Sequence, residues 1–131
     1  MTDFIHFKSV KRPPKPNTCL AAPVDFCLAA ETDFTPPVFE MNAENLFKAL
    51  NDEIEAERSW SRVETDAEAR KLKFVATTGF MRFKDDVDIE VIPVDDDRST
   101  LAIYSRSRVG YSDLGTNRKR VNDLIGRVTT N

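Results

Sequence analysis

The sequence predicts a two-layer α+β sandwich, a mostly antiparallel five-stranded sheet with two helices on one face. Three observations lead to this fold. Two segments repeat apolar residues with helical spacing, four segments alternate apolar and polar residues, and 131 residues are enough for one core. Because alternating strands bury one face and one-sided helices bury one stripe, each type of element covers the other. The predicted order is β-α-β-β-β-β-α.

An extended, proline-rich N-terminal arm is predicted at residues 1–37, ahead of a single α+β domain at residues 38–131. Six of the seven prolines precede residue 38, and proline lacks the amide donor that helices and sheets use. The phenylalanine and leucine side chains of this arm are able to pin parts of it to the domain, which gives a wrapped arm as one interpretation. A juxtamembrane tether is the alternative.

The first strand is predicted at residues 38–41, with the first helix directly after it. Asn42 is suited to cap this helix, and Glu44 in the first turn suits its dipole. One face of the segment collects the apolar residues Ala43, Leu46, Phe47, Leu50 and Ile54. That spacing indicates an amphipathic helix that ends near Glu57.

Four strands and a second helix complete the domain. Period-two alternation predicts strands at residues 59–65, 71–80, 86–91 and 101–108, with turns at 66–69, 81–84 and 95–98. The last helix has one apolar face, formed by Leu114, Val121, Leu124, Ile125 and Val128. This element order is similar to that of TATA-binding-protein-like and helix-grip folds, a similarity of topology that transfers no function.

Composition excludes several classes of protein. A net charge of −3 argues against nucleic-acid binding, which uses a broad basic surface. No apolar run reaches the length of a membrane span, and no signal peptide is evident, although a leader or anchor in the native gene stays open. One histidine, His6, and two cysteines are too few for a zinc site, and no cofactor motif is found.

The cysteines Cys19 and Cys27 allow two interpretations. They either form a disulfide in an oxidising compartment or stay free thiols in a cytosolic protein.

The outer face of the sheet is predicted to carry a structural ion pair. A tight turn at residues 95–97 places Asp86 opposite Arg106, while Lys71 and Lys73 lie on the other neighbouring strand. An acidic strand between two basic strands favours cross-strand pairs, each contributing roughly 0.2–1 kcal/mol. These pairs also specify the register, because a slip of one residue would bury the acidic side chains.

The most specialised segment is residues 105–120, the passage from the last strand to the last helix. It combines polar side chains, two glycines and five cations. Gly110 and Gly115 have the spacing of a phosphate-binding loop, but Thr116 and Asn117 replace the lysine and hydroxyl residue that such a loop requires. No nucleotide site is therefore predicted.

The start of the last helix has two interpretations. Free backbone amides beside several cations would form an anion site, whereas a cap from Ser112 or Asp113 would occupy the same amides. The binding hypothesis assigns contacts with a ligand or partner to Arg108, Tyr111, Ser112, Asp113, Asn117 and Arg118. No catalytic residue is assigned, because His6 lies in the arm and no nucleophile–base pair is evident.

Three segments carry a family resemblance: residues 16–19 (Pro-Asn-Thr-Cys), residues 83–87 (Phe-Lys-Asp-Asp-Val) and residues 105–121. They resemble the bacterial domain-of-unknown-function family 1499, from about Pro13 to the last helix. The family has no established activity, so the resemblance implies no catalytic residue. Its members commonly follow a leader, lipoprotein signal or membrane segment, which implies the cell envelope or periplasm and favours the Cys19–Cys27 disulfide. A cytoplasmic location stays open.

The resulting hypothesis is a non-enzymatic, envelope-associated domain that binds a partner or small ligand through the strand-to-helix motif. The alternative is an enzyme or carrier acting on an anionic or lipid-like small molecule. An enzyme requires a concave pocket where Arg108, Tyr111 and Asp113 converge. A carrier requires a cavity between the last helix and the sheet.

Overall fold

The computed structural model describes residues 3–79 and 82–129. Its elements are β1 (Thr18–Ala21), α1 (Ala43–Ala56), β2 (Trp60–Asp66), β3 (Lys71–Thr78), β4 (Phe83–Pro93), β5 (Ser99–Ser107) and α2 (Thr116–Thr129). The predicted α+β class and the order β-α-β-β-β-β-α are confirmed. Phe80 and Met81, predicted at a strand end and in a turn, lie outside the described residues.

One open antiparallel sheet contains the five strands in the order β1-β5-β4-β3-β2. The acidic strand β4 therefore lies between the basic strands β3 and β5, as predicted. Asp86 faces Arg106 across the β4–β5 pair, so the predicted register is confirmed. β4 begins at Phe83, inside the predicted turn, because its first residues still pair with β3.

The first strand lies in the arm, and its predicted position was wrong. Residues 38–41 contain no strand, although Phe39 makes an isolated bridge with Ser99. Thr18–Ala21 pairs with β5 instead. The physical reason is the run Cys19-Leu20-Ala21-Ala22, which is apolar on both faces and fully buried. The prolines of the arm flank this run without interrupting it.

Both helices cover one face of the sheet, which we call the helix face. Asn42 caps α1 as predicted: its Oδ1 accepts a hydrogen bond from Asn45 N at 2.8 Å. Apolar side chains of the helices and strands form one buried core, which includes Leu46, Leu50, Ile54, Leu72, Phe74, Val87, Ile89, Leu101, Ile103, Val121, Leu124 and Val128. These side chains fill the space between α2 and its neighbouring strands β1 and β5, so the described residues leave no enclosed apolar cavity there of the kind that a carrier needs.

Arm residues on both sides of β1 pack on the opposite face, which we call the outer face, while Phe34 packs against the core on the helix face. Phe7, Leu20 and Tyr104 are buried together there. Lys73 Nζ donates a hydrogen bond to the backbone oxygen of Asp3 at 2.9 Å, which holds the start of the arm against β3. The described part of the arm is therefore wrapped on the sheet. No helix within residues 3–79 and 82–129 is long and apolar enough to cross a membrane.

The two cysteines are free thiols on opposite sides of the sheet. Cys19 belongs to the core on the helix face, whereas Cys27 packs against the apolar cluster of the outer face. Because the sheet separates them, the Cys19–Cys27 disulfide is not formed. Burial raises the pKa of the Cys19 thiol to about 11, so this thiol is protonated and unreactive at neutral pH.

Candidate functional site

A small cavity, the motif pocket, opens at the end of the sheet where β5 leads into α2. Its volume is about 140 Å³, and it is lined by Thr78, Phe83, Asp85, Ser107, Val109, Gly110, Ser112, Asp113 and Thr116. Side chains alternate between the two faces of a strand, so Asp85 shares the helix face with the buried Val87. The pocket therefore lies on the helix face, beside the start of α2.

A buried ion pair lies beneath this pocket. Arg120 Nη2 is 2.8 Å from Asp85 Oδ2, and the two side chains are only 4% and 3% exposed. Arg120 Nη1 donates hydrogen bonds to Asn117 Oδ1 at 2.9 Å and to Ser105 Oγ at 3.1 Å. Nη2 has no aligned hydrogen bond to a described residue, so its contact with Asp85 is ionic. Burying two charges costs several kcal/mol per ion, and only such close partners offset that cost.

Asn117 links three distant parts of the chain. Its Nδ2 donates to Asp113 Oδ2 at 2.6 Å, to the backbone oxygen of Asn17 at 2.9 Å and to Ser107 Oγ at 3.0 Å. Asn17 in turn donates from Nδ2 to the backbone oxygen of Gly110 at 2.8 Å. We call these residues, with Asp85, Ser105 and Arg120, the buried network. It fixes the arm, the loop before α2 and the helix to one another.

Asp113 caps α2. Its carboxylate accepts hydrogen bonds from the backbone amides of Gly115 at 2.8 Å and Asn117 at 2.9 Å. Its backbone oxygen accepts from the amide of Thr116 at 3.1 Å. The capping interpretation is therefore confirmed. An anion would have to displace this carboxylate from the same amides, so the geometry does not support the anion site.

The ion pairs of the outer face run diagonally between strands. Arg106 Nη1 lies 2.9 Å from Asp88 Oδ2, whereas Asp86 binds Arg108 through two hydrogen bonds of 2.9 Å. The predicted Asp86–Arg106 pair is thus replaced by two pairs with shifted partners, because a long arginine side chain reaches the diagonal neighbour. The hydrogen bonds from Arg108 lower the pKa of Asp86.

The geometry required by the enzyme hypothesis is not present. Arg108 is engaged with Asp86 on the outer face, Asp113 lines the motif pocket on the helix face, and Tyr111 is 65% exposed. These three side chains therefore do not converge in one cavity of the described residues.

The other predicted binding residues separate in the same way. Ser112 lines the motif pocket, and its Oγ accepts a hydrogen bond from the amide of Leu114 at 3.3 Å. Asn117 is fully buried in the network. The guanidinium of Arg118 lies 5.3 Å from the ring centre of Phe34 in the arm. Of the six predicted residues, Ser112 and Asp113 line the pocket itself.

Four exposed apolar side chains, which we call the apolar rim, belong to the segments that form the motif pocket: Phe83 and Val109 line it, and Tyr111 and Leu114 lie in the loop before α2. Phe83, Val109, Tyr111 and Leu114 are 51%, 59%, 65% and 97% exposed, respectively. The prediction that Leu114 belongs to the buried face of the last helix was wrong, because α2 begins at Thr116. Leu114 has φ +54°, a left-handed conformation that costs roughly 1–2 kcal/mol for a residue with a Cβ atom.

A second cavity, the helix cleft, adjoins the motif pocket. Its volume is about 330 Å³, and the two cavities share Thr78 and Thr116. The remaining lining includes Trp60, Lys119 and Arg120, together with Glu57, Asp123 and Arg127. A hydrogen bond from Arg127 lowers the pKa of Glu57. Among the described residues, no group of three or more side chains is suited to hold a metal ion.

The sequence contains a signal for the buried network. Asp85 precedes Val87 and Ile89 with the same alternation, and Asn117 precedes Val121 and Leu124 on the same helical face. A polar residue in phase with a buried apolar series has to be hydrogen-bonded within the core. That rule would have placed Asp85 and Asn117 inside the protein.

The family model described as "Protein of unknown function (DUF1499)" matches residues 11–128, which is most of the chain. The chain belongs to this family. All three segments that carried the resemblance contribute to the buried network, which includes Asn17, Asp85 and Asn117. A comparison with curated proteins gives no match.

Proposed function

We propose that the protein is a non-enzymatic binding domain whose binding surface is the motif pocket with its apolar rim. One observation carries the proposal: Leu114 is 97% exposed and has φ +54°. Leucine at this position adds no stability to the isolated chain. The side chain stays in water, and the backbone conformation favours glycine or asparagine. Strained residues of this kind cluster at functional sites.

The hydrogen bonds that hold the loop beneath the rim support the same proposal. Asn17 holds the backbone of Gly110, and Asp113 holds the amides of Gly115 and Asn117. The loop that presents Leu114 is therefore tied to the core at both ends. A loop fixed in this way loses little conformational entropy when it binds, which favours affinity.

The resemblance to a family whose members commonly follow a leader or lipoprotein signal supports a location at the cell envelope. Fractionation of the source cells, with an antibody against the chain, tests this part of the proposal. Recovery of the protein with the cytoplasmic fraction would contradict it.

Leu114→Asn tests the binding surface. Asparagine accepts the left-handed conformation, so this variant should unfold at the wild-type temperature or slightly above it. Immobilised protein is incubated with a detergent extract of source cells, and the retained proteins and lipids are identified by mass spectrometry. We expect the wild type to retain molecules that Leu114→Asn does not.

Leu28→Asn is the matched control, since Leu28 is 75% exposed on the arm. It should retain the same molecules as the wild type. If Leu114→Asn also retains them, the rim is not the binding surface and the proposal fails.

A further inference from the structure

The two chain segments that form the rim have an uneven charge balance. Residues 82–86 and 108–120 contain three carboxylates, and each is already engaged: Asp85 by Arg120, Asp86 by Arg108, and Asp113 by the amides at the start of α2. The chain as a whole has a net charge of −3. These two segments hold six cations against three carboxylates, an excess of three positive charges. The carboxylates of the adjoining helix cleft, Glu57 and Asp123, are both paired with Arg127.

Four cations in these segments have no ion pair with a described residue: Arg82, Lys84, Arg118 and Lys119. All four are exposed. Lys84 Nζ donates to Thr77 Oγ1 at 3.4 Å, and the Arg118 guanidinium lies over Phe34, so both keep their full charge. Arg82 and Lys84 flank Phe83 in sequence, and Arg118 and Lys119 lie in the first turn of α2. Lys84 shares the outer face with Asp86, Arg118 lies against the arm and Lys119 lines the helix cleft, so the unpaired cations lie on different sides of the end that carries the rim.

From this juxtaposition we infer that the apolar rim and its four cations dock on a membrane surface that contains anionic lipids. The inference rests on the proposed binding function and names its partner. Leu114, Tyr111, Val109 and Phe83 would enter the boundary between headgroups and acyl chains, where tyrosine and leucine are favourable. The lysine and arginine side chains would keep their charges at the level of the headgroups.

The charge pattern favours a membrane over a protein partner. Protein–protein interfaces are depleted in lysine, whereas anionic membranes attract each lysine or arginine near their surface. Leu114 projects from the loop with 97% of its surface in water, as an inserting side chain does. Nucleic acid is disfavoured because the cations surround apolar side chains within a chain of net charge −3.

Vesicle flotation with the full chain tests the inference. One set of vesicles contains phosphatidylcholine alone, and the other contains phosphatidylcholine with phosphatidylglycerol. We expect wild-type protein to float with the anionic vesicles and not with the neutral ones. Leu114→Asn should weaken binding at least about tenfold, because the apolar contact of this side chain is lost. The double variant Lys84→Gln/Lys119→Gln should weaken it about 25-fold, since each cation contributes about fivefold.

Matched controls are Leu28→Asn for the apolar change and Lys15→Gln for the charge change, both at exposed positions of the arm. They should bind like the wild type. Equal binding to neutral and anionic vesicles, no flotation of the wild type, or losses in the control variants equal to those in the rim variants would each overturn the inference. If vesicles do not bind but extract capture still depends on Leu114, the partner is a protein or free ligand; the proposed function then stands and the membrane inference fails.

Discussion

Asp85 and Asp86 are neighbours in the sequence, and each pairs with an arginine, but their surroundings differ sharply. Asp85 and Arg120 are 3% and 4% exposed, whereas Asp86 and Arg108 are 34% and 46% exposed. The distances between charged atoms are almost the same, 2.8 Å and 2.9 Å. A single step along β4 turns the side chain from the helix face to the outer face.

This difference shows that the same chemical pair serves two purposes. On the outer face, water screens both charges, so the Asp86–Arg108 pair contributes little stability and mainly supports the register. On the helix face, either charge would be buried without a counter-ion if α2 packed elsewhere, and an unpaired buried charge is strongly destabilising. The Asp85–Arg120 pair therefore favours one packing of α2. The buried pair thus specifies the geometry beneath the motif pocket.

The largest expected effect is that of Asp85→Ala. It leaves the Arg120 guanidinium buried without a counter-ion, and we expect a loss of about 3–5 kcal/mol in the free energy of unfolding. Urea denaturation monitored by tryptophan fluorescence measures it. The double variant Asp85→Leu/Arg120→Met removes both charges and should recover most of the loss. A cost below about 1 kcal/mol for Asp85→Ala would show that the buried pair behaves like the exposed one.

Asp113→Ala is expected to have an intermediate effect, because Asp113 is partly exposed but accepts hydrogen bonds from two backbone amides and from Asn117. The variant loses the cap of α2 and one acceptor of Asn117, which should cost about 1–2 kcal/mol. Asp96→Ala in the exposed turn before β5 is the control and should change stability by less than about 0.5 kcal/mol. Equal melting temperatures for the two variants would contradict the role of Asp113 as a cap.

Asp86→Ala should have a smaller effect, below about 1 kcal/mol. A double-mutant cycle with Arg108→Ala measures the coupling between the two side chains directly. We expect roughly 0.2–1 kcal/mol at low salt and less in 1 M salt, because the pair is exposed to screening. A coupling that is large and independent of salt would remove the distinction between the two faces.

The smallest effect is the pH dependence of the same pair. Arg108 holds the pKa of Asp86 below its ordinary value of 3.8, so the folded state favours the ionised carboxylate. The stabilisation is therefore fully present above that value and is lost as the pH falls through the lower pKa of the folded state. The difference in melting temperature between wild type and Arg108→Ala should shrink as the pH falls from 7 to below 3.8. A difference that grows on acidification would contradict this assignment.

Strong periodic signals made most of the fold predictable. Val87, Ile89 and Val91 alternate with Asp86, Asp88 and Glu90, and this pattern alone indicates both the strand and its buried face. Asn42 at the start of α1 was equally clear, because a capping residue acts locally. Strand alternation and helix capping both involve residues close together in the sequence, so the sequence shows them directly.

The candidate site was less predictable because it depends on contacts between distant residues. β1 was missed since the apolar run Cys19-Leu20-Ala21-Ala22 shows no period. Asn117 and Arg120 are three residues apart on α2, but no local pattern pairs Arg120 with Asp85 on β4. Leu114 has the spacing of the apolar face of the last helix. The cap from Asp113 fixes the start of that helix at Thr116, two residues after Leu114. Residues 105–120 stand out in the sequence, but only the structure shows which residues their side chains contact.

The pairing of β1 with β5 has a consequence for how the chain folds. It joins Thr18 to Arg106, so the edge of the sheet closes only when nearly the whole chain is available. Contacts this distant in sequence carry a high entropic cost of loop closure and slow the folding of a domain. During synthesis the apolar run of β1 leaves the ribosome long before its partner strand exists. β1 is therefore synthesised well before its partner strand, and we expect newly made chains to be most prone to aggregation in that interval.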